Sequence, residues 1–210
     1  MVSQSGFSIG FKGGYGYSQY FFRVPVEQVV VPVYQYGLVI SQMNKKNFGV
    51  EFNVLHTQKA FQEKFNETYF KQVTINYIEF PILSTYKIGN KKSALVLFGG
   101  LHLSVALNVD SLIEGTPTEA DTSLIQYSPF EYSNWNYGLG GGLAYQLILG
   151  KNVFQLQLMY SQGLQNLFER DYASIYRSLN QNLFINLTYK VSLEKRGKVK
   201  KTKTRLPEDS

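Results

Sequence analysis

Trp135, Tyr137, Leu139, Gly141, Leu143, Tyr145 and Leu147 take alternate positions in the stretch SNWNYGLGGGLAYQL, residues 133 to 147. Asn134, Asn136, Gly138, Gly140, Gly142, Ala144 and Gln146 stand between them. A period of two in the large apolar side chains predicts a β-strand with one apolar face. Its other face is small and uncharged, whereas the outer face of a soluble sandwich usually carries long charged side chains. Small residues with Asn and Gln suit the crowded interior of a narrow barrel, with the rings pointing outward into lipid. On this stretch alone a soluble barrel or sandwich fits as well.

Seven further segments extend the pattern. FSIGFKGGYGYSQ sets Phe7, Ile9, Phe11, Tyr15 and Tyr17 against Ser8, Gly10, Lys12, Gly14 and Gly16. A second segment, Tyr34 to Met43, is ambiguous in parity. FGVEFNVLHTQ opposes Phe48, Val50, Phe52 and Val54 to Gly49, Glu51, Asn53 and Leu55. A fourth, about Val73 to Lys87, opposes Ile78, Phe80, Ile82 and Tyr86 to Glu79, Pro81, Leu83 and Thr85. From Ser93 to Asn108 both parities are apolar but alternate in size. NVFQLQLMYSQ and QNLFINLTYKVSL complete the set, with Lys190 on the inward parity of the last. With the opening stretch these make eight strands, each about ten residues or longer, the length of a tilted membrane-crossing strand.

The predicted connections are short at 44 to 47, 89 to 92 and 149 to 152, and long at about 19 to 34, 60 to 72, 109 to 132 and 164 to 178. Short and long connections therefore gather at opposite rims, which is the asymmetry of outer-membrane barrels, with short periplasmic turns and long outer loops. The expected fold is all-β, an eight-stranded antiparallel up-and-down transmembrane β-barrel over residues 1–193, with both termini periplasmic. Tyr15, Tyr17, Trp135, Tyr137 and Tyr160 are expected to form one interfacial girdle, and Phe48, Tyr86, Tyr145 and Tyr189 the other.

Composition agrees with strands rather than helices as the membrane-crossing elements. The 210 residues include 16 Tyr and 15 Phe, yet no run of about 18 apolar residues occurs. With no cysteine, disulfides and thiolate metal sites are excluded. MVSQSGFSIGFKGG does not read as a secretory leader, so the export such a barrel needs predicts that this is a mature form with an added initiator. The net charge of +6 is concentrated in the tail 194–210, which holds Lys195, Arg196, Lys198, Lys200, Lys201, Lys203 and Arg205. With almost no apolar residues the tail is expected to be disordered alone, and it reads equally as a solvated extension or as a contact for an acidic partner or anionic lipid on the periplasmic side. The nearly neutral body gives no footprint for nucleic acid.

Candidate chemistry is sparse. His56 lies on the lipid-facing parity and His102 on the inward one, so no set of His, Ser and carboxylate is expected to converge, and the chain reads as non-enzymatic. The two glycine-rich stretches fall inside strands without the Lys-Ser/Thr ending of a phosphate loop, which excludes nucleotide binding. Asp110, Glu114, Glu119, Asp121 and Glu131 match no calcium-loop spacing and read as a solvated acidic loop, so no metal or cofactor is expected. Lys12, Glu51, Glu79 and Lys190 all take the inward parity. An eight-strand interior is just wide enough to be filled by its own side chains, so these four are expected to form an internal charge plug, the two lysines facing the two glutamates.

YIEFPILSTYKI at 77 to 88, LFGGLHLSVAL at 97 to 107, WNYGLGGGLAYQL and FQLQLMYSQGLQNL together resemble the PorT-like outer-membrane β-barrel domain family of Bacteroidota-type bacteria. The resemblance rests on Glu79-Phe80-Pro81, Gly99-Gly100, the glycine-rich sixth strand and the Tyr160-Ser161-x-Gly163-Leu164 step, and it spans nearly the whole barrel. It implies an eight-stranded barrel of the outer membrane, in a family whose namesake is tied to type IX secretion. The motifs belong to the barrel and carry no role with them, and the basic tail lies outside the pattern. The expected function is a structural or accessory subunit of an outer-membrane protein assembly, in contact with lipid and with other outer-membrane or periplasmic proteins. An outer-rim hydrolase and a narrow porin-like channel are the alternatives.

Overall fold

A computed structural model describes residues 6–22, 27–44, 47–64, 70–90, 92–115, 133–167 and 178–193. The strands are β1 (Gly6–Phe22), β2 (Glu27–Val29), β3 (Val31–Met43), β4 (Phe48–Lys64), β5 (Phe70–Gly89), β6 (Ser93–Glu114), β7 (Trp135–Leu149), β8 (Asn152–Gly163) and β9 (Ser178–Ser192). Each pairs antiparallel with its neighbours, and β9 returns to β1 from Ser8↔Ser192 to Phe22↔Ser178, closing the sheet. The short β2 and β3 act as one barrel strand. Between Val29↔Gln62 and Gln35↔Thr57 this strand advances one residue more than β4 does, so an extra residue is accommodated between Val29 and Gln35. The fold is thus a closed eight-stranded antiparallel barrel, as the alternation predicts.

Alternation sorts side chains by face along every wall. On β9, Asn180, Asn182, Phe184, Asn186, Thr188 and Lys190 are buried in the lumen while Leu183, Ile185, Leu187 and Tyr189 are exposed outside. The residues assigned to the two girdles all lie on the outer surface, where the Phe48 and Tyr86 rings pack at a 39° tilt with centroids 4.7 Å apart. A continuous apolar exterior around a polar interior inverts a soluble protein and is stable only against lipid.

The glycines of β7 make room for large side chains from neighbouring strands. A Cβ at Gly138 would sit 2.5 Å from His102 Nε2, and one at Gly142 would sit 3.0 Å from the end of the Phe98 ring. The small face of the opening stretch is therefore the space into which β6 and β8 pack, with Phe98, Leu83, Val96, Ala144 and Met159 forming one apolar cluster of the lumen.

The tight connections have local causes. Asn44 donates its amide to the Phe48 carbonyl at 2.7 Å and its side chain accepts from the Phe48 amide, while Asn47 takes φ 67°. Gly150, at φ 68°, turns β7 into β8 in the left-handed region that glycine enters without strain. The start of β1 and the end of β9 share this turn end.

At the far end the expected long connections need correction. The segments 19 to 34 and 60 to 72 are mostly strand, because β1 runs to Phe22, β4 to Lys64 and β5 starts at Phe70. β5 and β6, at 20 and 22 residues, are about twice the length needed to cross a bilayer. Above the membrane neither face of a strand needs to be apolar, so the ladder continues where the alternation fades. The tail 194–210, with Lys195, Arg196, Lys198, Lys200, Lys201, Lys203 and Arg205, lies outside the described residues, as do Glu119, Asp121 and Glu131.

Candidate functional site in the barrel lumen

The inward parity carries ionisable groups into two separate layers. Toward the turn end, Glu51 of β4 accepts from Lys12 Nζ of β1 at 2.9 Å and from Lys190 Nζ of β9 at 3.0 Å. Lys12 reaches Glu51 across β3, whose residue paired with Lys12 is Gly37, a position with no side chain to block the way. Each carboxylate oxygen has its own ammonium, and all three side chains are buried. Beside them a cavity of about 40 Å³, touched by Ser8, Thr85 and Gln155, has room for a few water molecules.

The second layer lies farther along the axis. Lys59 Nζ stands 2.9 Å from Glu79 Oε2, donates to Ser104 Oγ at 3.1 Å and to Asn136 Oδ1 at 3.0 Å, and sits 4.9 Å from the centre of the Tyr77 ring. Ser104 Oγ donates to the same Glu79 oxygen at 2.9 Å, and His102 Nδ1 is 3.4 Å away from it. Between the layers Gln35 donates to Asn186 at 2.6 Å. Above them Tyr20, Phe61, Val73, Ile75, Tyr77 and Leu167 close the far end of the lumen with an apolar cluster. Charges taken out of water are tolerated best when paired and hydrogen-bonded; the Glu79 layer meets that condition, while the Glu51 layer sets two lysines on one carboxylate and holds one positive charge in excess.

Of the four inward charges read from the sequence, Lys12, Glu51 and Lys190 come together and Glu79 does not join them. Both lysines engage Glu51, and Glu79 has Lys59 instead of a lysine across the lumen. Lys59 escaped the sequence reading because it lies past the point where the third strand was expected to end. The signal was present in its parity, which it shares with Glu51, Asn53, Leu55 and Thr57.

The two histidines occupy opposite faces of the wall. His56 stacks outside on Tyr36, ring centroids 5.0 Å apart, while His102 is sealed beside Glu79. Among the described residues no group of three His, Cys, Asp or Glu side chains is placed to hold a metal ion.

The sequence profile of the family described as outer membrane protein beta-barrel domain matches residues 2–169. The chain belongs to that family. Membership of the outer membrane protein beta-barrel domain family makes this a β-barrel protein of the outer membrane, consistent with the apolar exterior. The match ends before β9, so the closing strand and the tail lie outside it. No curated protein matches the sequence. Similar solved structures include the outer membrane protein OprG from Pseudomonas aeruginosa, at 14% identity over 90% of this chain and 97% of that one, TM-score 0.49. They also include outer membrane protein W of E. coli, at 12% identity over 91% of this chain and 100% of that one, TM-score 0.48. Neisserial surface protein A is similar at 8% identity over 89% of this chain and 97% of that one, TM-score 0.49.

Proposed function

We propose that this outer-membrane barrel is a closed, non-catalytic subunit with a structural or accessory role in an outer-membrane protein assembly, and that it falls within the PorT-like part of its family. The observation that carries the reading is the filled lumen, in which paired charges and an apolar cluster occupy the axis where a channel would need water. Among the described residues the buried ionisable groups pair with one another inside the lumen, which in this reading leaves the outer surface, the rims and the tail as working parts. In this reading the far-end connections are extracellular and both termini periplasmic. The tail 194–210 then engages an acidic partner or anionic headgroups near the inner leaflet, where each basic residue contributes about 1 kcal/mol.

Planar-bilayer recording and purification from native membranes in mild detergent test this reading. The expected result is no ion conductance and co-purification of a partner protein. Steady single-channel currents would instead establish the narrow channel, and purification alone under every mild condition would remove the accessory role. Truncation after Leu193 is expected to leave a heat-resistant barrel whose salt-sensitive association is weakened.

A further inference from the structure

The turn-end layer of the lumen is unbalanced in charge. Lys12 and Lys190 both engage Glu51, and Lys87, which pairs with Val96 of the lumen cluster, points inward nearer the mouth. Among the described residues no other carboxylate faces the lumen at this level, since Glu79 lies beside Leu55 in the second layer. A buried ammonium in excess of its counter-charges is strongly unfavourable, so something must offset it.

The cavity beside Glu51 is built to do so. Lys190 lines it, with 8% of its side chain exposed, and gives only one of its three N–H donors to Glu51. Hydroxyls of Ser8, Ser41 and Thr85 complete the polar side of the wall. Thr85 Oγ1 has only the weakly accepting Met43 sulfur, at 3.4 Å. Gln155 lines the same space, and its amide oxygen is buried with no hydrogen-bond partner. Turning that amide over presents N–H donors to the cavity in place of the oxygen. Val96 and Val153 keep the opposite side apolar, which strengthens every electrostatic contact inside. Such a wall attracts an anion and repels a cation. Space for a few waters takes one halide-sized ion and excludes a bulky organic one.

We propose that the cavity beside Glu51 is a binding site for one small monovalent anion of the size of chloride, held by the Lys190 ammonium and the hydroxyls of Ser8, Ser41 and Thr85. The anion completes the layer as Lys12, Lys190 and two negative charges, and enters from the turn end, where Lys190 and Lys87 are reached by solvent. It is a fixed counter-ion of the plug, so the stability of the barrel depends on the anion supplied to that rim.

Urea unfolding of the detergent-folded full chain, in bromide and in gluconate at one ionic strength, tests the site. A ligand held only by the folded state raises the midpoint with the logarithm of its concentration. The midpoint should therefore shift upward as bromide replaces gluconate. Lys190→Met, which leaves the neutral pair of Lys12 and Glu51, should lose that shift. The double variant Ser41→Ala, Thr85→Val keeps every charge and should reduce it. Crystals grown in bromide should show an anomalous-scattering peak in the lumen beside Lys190. Equal midpoints in the two salts, a shift unchanged in the variants, or bromide peaks confined to the outside of the barrel would each overturn the site. A bromide shift seen only after truncation at Leu193 would mean that a carboxylate of the chain's own end takes the place, and would overturn it too.

Discussion

Lys59 and Glu79 meet at 2.9 Å inside the barrel wall, on neighbouring strands, with side-chain exposures of 0% and 3%. Neither side chain is reached by solvent, and each is the other's nearest counter-charge. Removing one partner of such a pair costs about 3 to 5 kcal/mol, while replacing both by apolar residues of similar volume is often neutral. Glu79→Gln is therefore expected to lower stability in urea titrations of the detergent-folded barrel by that amount. The double variant Lys59→Met, Glu79→Leu should recover most of the loss. A double variant as unstable as the single one would mean that packing, not unpaired charge, sets the cost.

Glu51 stands in a different position because two lysines share it. Losing Lys12 or Lys190 leaves a neutral pair in the lumen, whereas losing Glu51 leaves two ammonium groups buried with no counter-charge beside them. Lys12→Met and Lys190→Met should thus each destabilise less than Glu51→Gln, and Glu51→Gln with Lys12→Met should be worse than Lys12→Met alone. Midpoints of urea unfolding at constant ionic strength read the order directly.

The outer surface makes a prediction by depth. Leu187 lies in the middle of β9 and Leu149 at the turn end of β7, and their exposures are almost equal at 62% and 63%. Without a membrane the two sites would be equivalent. In a bilayer an Arg near the midplane costs about 2 to 4 kcal/mol and near the interface about 0 to 1 kcal/mol. Leu187→Arg should fold into lipid vesicles markedly less stably than Leu149→Arg, measured by urea titration in vesicles, and equal costs would place the lipid belt elsewhere.

The membrane-crossing part of this fold was legible in the sequence because lipid outside and a crowded lumen inside impose opposite chemistries on alternate residues. Where that contrast weakens, legibility weakens with it. The segment Tyr34 to Met43 is ambiguous because Val39 fills the lumen between Gln35 and Ser41 while Tyr34, Tyr36 and Leu38 face outward, leaving apolar residues on both parities. The far ends of β4 and β5 carry no alternation that announces a strand, because beyond the bilayer the backbone ladder persists without an apolar face. Lys59 was lost for that reason. Parity also gives a side chain's face and not its height along the axis, which depends on strand tilt and register. Glu51 and Glu79 looked equivalent in sequence, yet pairing puts Glu51 beside Leu83 and Glu79 beside Leu55, four residues apart along each strand.

Two glycines on opposite faces of the wall separate space from conformation. Gly138 of β7 points inward, where a Cβ would collide with His102 Nε2 and the Gln162 carbonyl, and His102 is itself held beside Glu79. Gly13 of β1 points outward, and a Cβ there meets nothing within 4 Å. Both are extended residues in long strands, so backbone freedom does not distinguish them. Overpacking a filled core costs about 1 to 3 kcal/mol, and the expense at Gly138 should spread to the Glu79 layer through the displaced imidazole. Gly138→Val is expected to destabilise by at least that much, whereas Gly13→Val should be neutral or stabilising because it adds apolar surface toward lipid and a residue that favours strands. Combining Gly138→Val with His102→Ala, which removes the colliding ring, should return part of the loss in the same urea titration. If it returns none, the carbonyl of Gln162, not the imidazole, is what the glycine clears.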